Sequence, residues 1–80
     1  MITPELKQVI LAALKLDDWD IQDHTQAPEI PGWDSLSHVG VISEVEKHYG
    51  VRFSNREVLQ LKNIGELQRL VNAKTDLKAN

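Results

Sequence analysis

The stretch PGWDSLSHVGVISEVEKHYG, residues 31–50, passes from turn-forming residues to an amphipathic pattern immediately after Asp34. Aspartate commonly caps the N-terminus of a helix, and a glycine such as Gly50 commonly follows the C-terminus. Between them, apolar side chains recur every three or four residues, which predicts a helix over 34–49 with one apolar stripe. The stripe comprises Leu36, Val39, Ile42, Val45 and Tyr49.

A first helix is predicted to begin after Thr3, a favourable N-cap that is followed by Pro4 at the first helical position. Its apolar face has the same helical spacing. The face comprises Leu6, Val9, Ile10, Ala13 and Leu14.

Two more helix starts follow residue 50. Ser54 and Glu57 have the spacing of a capping box, which predicts a short third helix. Asn63 is a good N-cap for a fourth helix. The apolar residues of these two helices are Val58, Leu59 and Leu61, and then Ile64, Leu67, Leu70 and Val71. Residues 74–80 are expected to fray, as chain ends commonly do.

The segment DDWDIQDHTQAPEIPG, residues 17–32, has no periodicity and carries two prolines. Loops of this length in compact domains are often functional. Ile21, Ile30 and Trp19 are expected to hold it against the core. The fold class predicted is therefore all-α: a small four-helix bundle of three longer helices and one short one, with a long loop between the first two. One domain spans 1–80, with its core at about 3–72.

The bulk composition excludes several classes of function. The net charge is −3 and the nine Lys and Arg residues are scattered, which disfavours nucleic acid or an anionic membrane as partner. There is no cysteine, so any thiol chemistry needs a thiol from outside the sequence. The N-terminus has no signal-peptide pattern, and we expect a cytoplasmic monomer. An 80-residue chain has little room for a deep substrate cavity, which weakens the case for an enzyme.

Ser35 follows the expected cap and has two readings. It is either a residue tolerated in the first turn or a place where a group is attached, because the positive end of a helix stabilises a phosphate ester. Ser35 and His38 could also face each other, but the orienting group and oxyanion hole of a hydrolase are missing. We therefore expect His38 to be an exposed helix residue. His24, His38 and His48 lack metal-ligand spacing, so no metal site is predicted.

Trp33 is expected to be at least partly exposed. It either packs on the first turns of the next helix as a hydrophobic staple or offers a contact surface, and the sequence does not separate these readings. Glu44, Glu46 and Glu57 are candidate docking charges, although each taken singly fits a solvated face.

The residues Gly32-Trp33-Asp34-Ser35-Leu36 resemble the attachment motif of acyl carrier proteins and their peptidyl-carrier relatives. Val39, the stripe that ends at Tyr49, and residues 50–53 are similar to the second helix of that family and the turn after it. NIGELQRLV, residues 63–71, resembles its last helix. The resemblance covers residues 3 to about 72.

The resemblance implies that Ser35 carries 4′-phosphopantetheine, installed from coenzyme A by a phosphopantetheinyl transferase with Mg²⁺. The arm would hold acyl groups as thioesters, which supplies the thiol that the sequence lacks. Asp34 and Leu36 flank the attachment point, and helix 34–49 would dock acyl-loading and acyl-using enzymes. The docking residues implied are Trp33, His38, Val39, Glu44, Glu46 and Glu57.

Several positions differ from carriers of fatty-acid synthesis. Gly40, Lys47 and His48 stand where acidic residues are common, and Ser43, Ala27 and Pro31 where bulky apolar ones are. These differences favour a stand-alone carrier in a dedicated pathway with a short or polar acyl group over the general carrier of fatty-acid synthesis. The pathway itself stays open between fatty acid, polyketide, cell-envelope and other biosynthesis. An aminoacyl or peptidyl carrier and an unmodified four-helix interaction module are the alternatives.

Overall fold

The computed structural model describes residues 2–79, and the side chains of Ser35 and residues 77–79 lie outside that description. The chain forms helices α1 (Pro4–Leu14), α2 (Ser35–Tyr49), α3 (Asn55–Leu59) and α4 (Ile64–Ala79). A short 3-10 turn at Ala27–Glu29 interrupts the long connection between α1 and α2. Residues 2–79 contain no strand. The predicted all-α fold with three longer helices and one short helix is confirmed.

The predicted helix starts are confirmed by their side-chain hydrogen bonds. Thr3 Oγ1 accepts from the backbone N–H of Leu6 at 3.2 Å. Ser54 and Glu57 form the complete capping box of α3. Asn63 Oδ1 accepts from the N–H of Glu66 at 2.9 Å. Each cap satisfies a helix N–H that has no partner within its helix.

The core lies where α1, α2, α4 and the long connection meet. The apolar side chains buried there are Leu6, Ile10 and Leu11 of α1, Val41, Ile42 and Val45 of α2, Ile64, Leu67 and Val71 of α4, and Ile21, Ile30 and Trp33 of the connection. Fully burying a side chain of this size favours folding by about 1.5–3 kcal/mol. Ile21 and Ile30 hold the loop against the core as predicted.

The apolar stripe predicted for α2 is wrong at its N-terminal end. Leu36 is 87% exposed and Val39 70% exposed, whereas Val41, which is outside the predicted stripe, is buried. Leu36 and Val45 are nine residues apart, about two and a half turns, so they point to opposite sides of the helix. Only the side that carries Val45 faces the core.

The long connection is fixed to the start of α4 by its backbone. The N–H of Ile64 donates to the carbonyl of Thr25, and the N–H of Gly65 to the carbonyl of Asp23, both at 2.9 Å. A Cβ atom on Gly65 would lie 2.8 Å from that Asp23 oxygen. A residue without a side chain is therefore required for this close approach.

A buried glutamine joins the start of α1 to α4. Gln68 is 2% exposed, and its Oε1 accepts from the backbone N–H and the hydroxyl of Thr3 at 2.9 and 3.0 Å. Its Nε2 donates to Asn72 Oδ1 at 2.9 Å. Each polar atom of this buried amide group is thus hydrogen-bonded, as burial requires.

The predicted fraying of residues 74–80 is wrong for residues 74–79, which continue α4. Asn80 lies outside the described residues. The ammonium group of Lys74 lies 3.0 Å from a carboxylate oxygen of Glu57 in α3, and both side chains are about one-third exposed. This ion pair joins α4 to α3 at one point.

Candidate functional site

The N-terminus of α2 is organised by Asp34. Its Oδ1 accepts from the backbone N–H groups of Leu36 at 3.0 Å and of Ser37 at 2.8 Å. The Ser37 N–H is the main reason that the pKa of Asp34 lies below its ordinary value of 3.8. The predicted cap is therefore a carboxylate at neutral pH. It places Ser35 at the first position of the helix.

The surface around Ser35 is open. Asp34 precedes it and Leu36 follows it, and both are exposed. Val39, one turn further on, is exposed as well. The side chain of Ser35 itself is outside the described part of the structure. The neighbouring residues leave room for a bulky substituent at this position.

Trp33 is buried, contrary to the expected partial exposure. It is 8% exposed, and its indole Nε1 donates to Nδ1 of His38 at 3.0 Å. His38 is half-buried, so its expected exposure is wrong too. The two residues occupy the positions of a hydrophobic staple, one before the cap and one in the first turns. Trp33 is left with little surface for a partner.

Two cavities meet at this staple. An outer cleft of about 500 Å³ is lined by Ala27, Pro28, Trp33, Asp34 and His38. An inner cavity of about 130 Å³ shares Ala27, Pro28, Trp33 and His38, and continues to core residues that include Ile42, Ile64 and Leu67. The inner cavity thus reaches the middle of the bundle from beside the start of α2.

The three glutamates that sequence suggested as docking charges have different surroundings. Glu46 Oε2 accepts from the backbone N–H of Phe53 at 2.8 Å. Glu57 belongs to the α3 capping box and contacts Lys74, and the Ser54 N–H is the main cause of its lowered pKa. Glu44 is exposed and lies 3.8 Å from Lys47. Intramolecular contacts hold Glu46 and Glu57, and Glu44 is the glutamate most open to a partner.

A groove of about 490 Å³ separates α2 from α3. Val39 and Ser43 line it from α2, and Phe53 and Leu59 from the segment that contains α3. Leu59 is 84% exposed, which the sequence did not reveal.

The described residues show neither of two other kinds of site. They bring together no group of three or more His, Asp or Glu side chains able to hold a metal ion. Across residues 2–79, no helix combines the length and hydropathy that crossing a membrane requires.

Comparison with known proteins places this site in a family. Residues 4–71 match the family model described as the phosphopantetheine attachment site. The chain is similar to the solution NMR structure of the holo acyl carrier protein of Geobacter metallireducens, with 35% identity and a TM-score of 0.87. The match covers 94% of this chain and 86% of that one. No curated protein sequence matches significantly.

The family model and the solved structure agree with the local geometry. The matched region includes the long connection, the capped start of α2 and the first half of α4. Proteins of this family are carriers without catalytic activity of their own. They are modified by phosphopantetheinyl transferases and exchange acyl groups with enzymes. The chain belongs to the phosphopantetheine-binding carrier family, with an acyl-carrier-like four-helix fold and 4′-phosphopantetheine as its cofactor.

Proposed function

We propose that Ser35 is the residue that bears the phosphopantetheine arm and that the protein shuttles short or polar acyl groups between the enzymes of a dedicated pathway. The observation that carries the proposal is the open N-terminus of α2, where the Asp34 cap sets Ser35 in the first turn between exposed neighbours. When bound, the arm supplies a thiol that holds acyl groups as thioesters. The chain has no cysteine to do this itself.

Each residue of the motif has a separate task in this proposal. Ser35 contributes its hydroxyl oxygen, which loses its proton as the bond to phosphorus forms and coenzyme A releases adenosine bisphosphate. The positive N-terminal end of the α2 dipole stabilises the negative charge of the phosphodiester. Asp34 fixes the first turn through two backbone N–H groups, and its exposed carboxylate contributes an oxygen ligand to the Mg²⁺ of the transferase.

The inner cavity supports a short acyl group. Its volume of about 130 Å³ is much smaller than the 500 Å³ of the outer cleft. Its lining combines apolar side chains with polar ones, among them Asn63 and His38. The small side chain of Ala27 occupies little of the inner cavity, and the indole ring of Trp33 occupies more of it. A long saturated chain would not fit without displacing core side chains.

The partner surface in this proposal is the exposed side of α2 together with α3. Val39 and Leu59 are exposed and line the same groove, and Leu36 lies one turn before Val39. Apolar side chains at the centre of a surface patch commonly supply most of the binding energy of an interface. Glu44 lies in the next turns of α2 and is the exposed charge that would orient a partner.

Intact-mass measurement tests the proposal. The apo protein is incubated with a broad-specificity phosphopantetheinyl transferase, coenzyme A and Mg²⁺. The expected result is a mass gain of one phosphopantetheine, and fragmentation should locate it on Ser35. Attachment at Ser37 would overturn the site assignment. An unchanged mass would instead favour the unmodified interaction module.

A further inference from the structure

Trp33 stands between the outer cleft and the inner cavity. The outer cleft and the inner cavity share four of their lining residues, and Trp33 is the largest of these four. Asp34, next to the proposed attachment point, lines only the outer cleft, whereas Leu67 at the core lines only the inner cavity. A group tethered at Ser35 that entered the inner cavity from the outer cleft would pass the Trp33 ring.

The Trp33 ring is held by apolar packing in the core and by one side-chain hydrogen bond. Its Nε1 donates to Nδ1 of His38 at 3.0 Å, and the ring centroids are 6.0 Å apart with an interplanar angle of 39°. Because Nδ1 accepts this hydrogen bond, the neutral imidazole carries its proton on Nε2. A single hydrogen bond between neutral groups contributes modestly to stability. The buried indole also has apolar contacts in the core, so a ligand that displaces the ring must replace those contacts.

The backbone next to Trp33 allows the ring to move. Gly32 has φ +83°, a conformation that glycine adopts without strain. Gly32 is exposed, and no heavy atom lies within 4 Å of the place where a Cβ would be. A change of backbone angle at Gly32 would redirect Trp33 at the cost of the 3.2 Å hydrogen bond from the Trp33 N–H to the Ile30 carbonyl.

We propose that Trp33 is the gating residue for the inner cavity and that His38 is the positioning residue that keeps it closed. The inference rests on the proposed function, because the ligand is the acyl end of the arm on Ser35. On loading, a short acyl group takes the place of part of the indole in the cavity and the hydrogen bond to His38 is broken. The movement of the indole frees a limited volume, so Trp33 restricts the cavity to acyl groups that fit this volume.

The first test examines Trp33 alone. Trp19 is replaced by Phe so that Trp33 is the sole tryptophan, and the exchange of the indole Nε1 proton is followed by NMR. His38→Leu removes the acceptor and should raise the exchange rate about two- to tenfold, as expected for the loss of one neutral hydrogen bond. His38→Asn keeps an acceptor near the same place and should restore slow exchange. His24→Leu, a histidine of the exposed loop, is the matched control and should change nothing.

The second test uses the loaded protein. Butyryl and octanoyl arms are installed and confirmed by intact mass, and contacts between the acyl methyl group and the Leu67 methyl groups are measured by NMR. The butyryl form should show these contacts and a shifted indole Nε1 signal. In His38→Leu the octanoyl form should gain the Leu67 contacts that it lacks in the parent protein.

The outcomes separate the two proposals. Absence of any mass gain would overturn the proposed function and the gate with it. A protein loaded on Ser35 whose indole signal is unchanged, and whose acyl group makes no contact with Leu67, would overturn only the gate. Fast Nε1 exchange in His38→Asn, with a melting curve like that of the parent protein, would also count against His38 as the positioning residue.

Discussion

The backbone N–H of Gly65 donates to the carbonyl oxygen of Asp23 at 2.9 Å, so the loop between α1 and α2 adds a hydrogen bond to the start of α4. The contact joins segments that are far apart in sequence. It also brings the two backbones so close that the glycine cannot be replaced without movement. The loop that leads to the functional motif is thus held by hydrogen bonds to the N-terminus of α4.

Gly65→Ala tests this close approach. The new methyl group would lie 2.8 Å from the Asp23 oxygen, and 3.0 Å from its Cβ. We expect the free energy of unfolding to fall by about 1–3 kcal/mol, the usual cost of overpacking. Urea denaturation measures the change. A variant as stable as the parent would mean that the loop moves away at little cost.

Gly40→Ala is the matched control, because Gly40 lies in the middle of α2 and no heavy atom lies within 4 Å of the position that a methyl group would take. Alanine favours a helix interior over glycine, so the free energy of unfolding should rise by about 0.5–1 kcal/mol. The same denaturation experiment compares the two variants. Destabilisation by Gly40→Ala would show that the surface around Gly40 is not open.

Ser35→Ala should abolish loading and leave the fold intact. A first-turn Ser→Ala change away from the core usually alters stability by less than about 0.5 kcal/mol. Intact mass after incubation with the transferase measures loading, and circular dichroism measures the fold. Ser37→Ala is the control and should load normally.

Asp34→Asn should separate capping from arm transfer. Asparagine caps helices about as well as aspartate, so melting at neutral pH should change little, while loading should slow because the carboxylate is lost. The pKa of Asp34 is lowered on folding, so its carboxylate stabilises the protein above the ordinary value of 3.8 and this contribution is lost as pH falls below it. The variant should therefore lose less stability between neutral and acid pH. Loading at the parental rate would assign Asp34 a structural role only.

A longer acyl chain should not raise the melting temperature of this protein more than a short one does. A sheltered chain stabilises the fold in proportion to the apolar area it buries, about 25 cal/mol per Å². Because the inner cavity measures only about 130 Å³, an octanoyl group should raise the melting temperature no more than a butyryl group. Melting curves and thioester hydrolysis of acetyl, butyryl, hydroxybutyryl and octanoyl forms test this. A large, selective stabilisation by octanoyl would favour ordinary fatty-acid metabolism.

The helix starts and the attachment motif were predictable because they depend on local chemistry. Asp34 and Ser54 cap helices through hydrogen bonds to residues two or three positions away, so a short stretch of sequence is enough to predict these caps. The motif resemblance likewise needed only residues 32–36 and the order of helices around them.

The faces of α2 were less predictable because two apolar patterns overlap in one helix. The spacing of Leu36, Val39 and Ile42 fits a single stripe, yet only contact with α1 and α4 decides which side is buried. The burial of Trp33 depends in the same way on a cavity formed by distant segments. Lys74 of α4 pairs with Glu57, 17 positions away in the sequence, so local spacing could not predict this contact either.

The hydrogen bonds between Thr3 and Gln68 bear on when the protein can fold during its synthesis. They span 65 positions, so the cap of α1 lacks this partner until α4 has left the ribosome. Alone, the 11-residue α1 is too short to be a stable helix in water. Folding of the bundle is therefore completed only after α4 has emerged, and the α2 motif reaches its native surroundings at the same late stage.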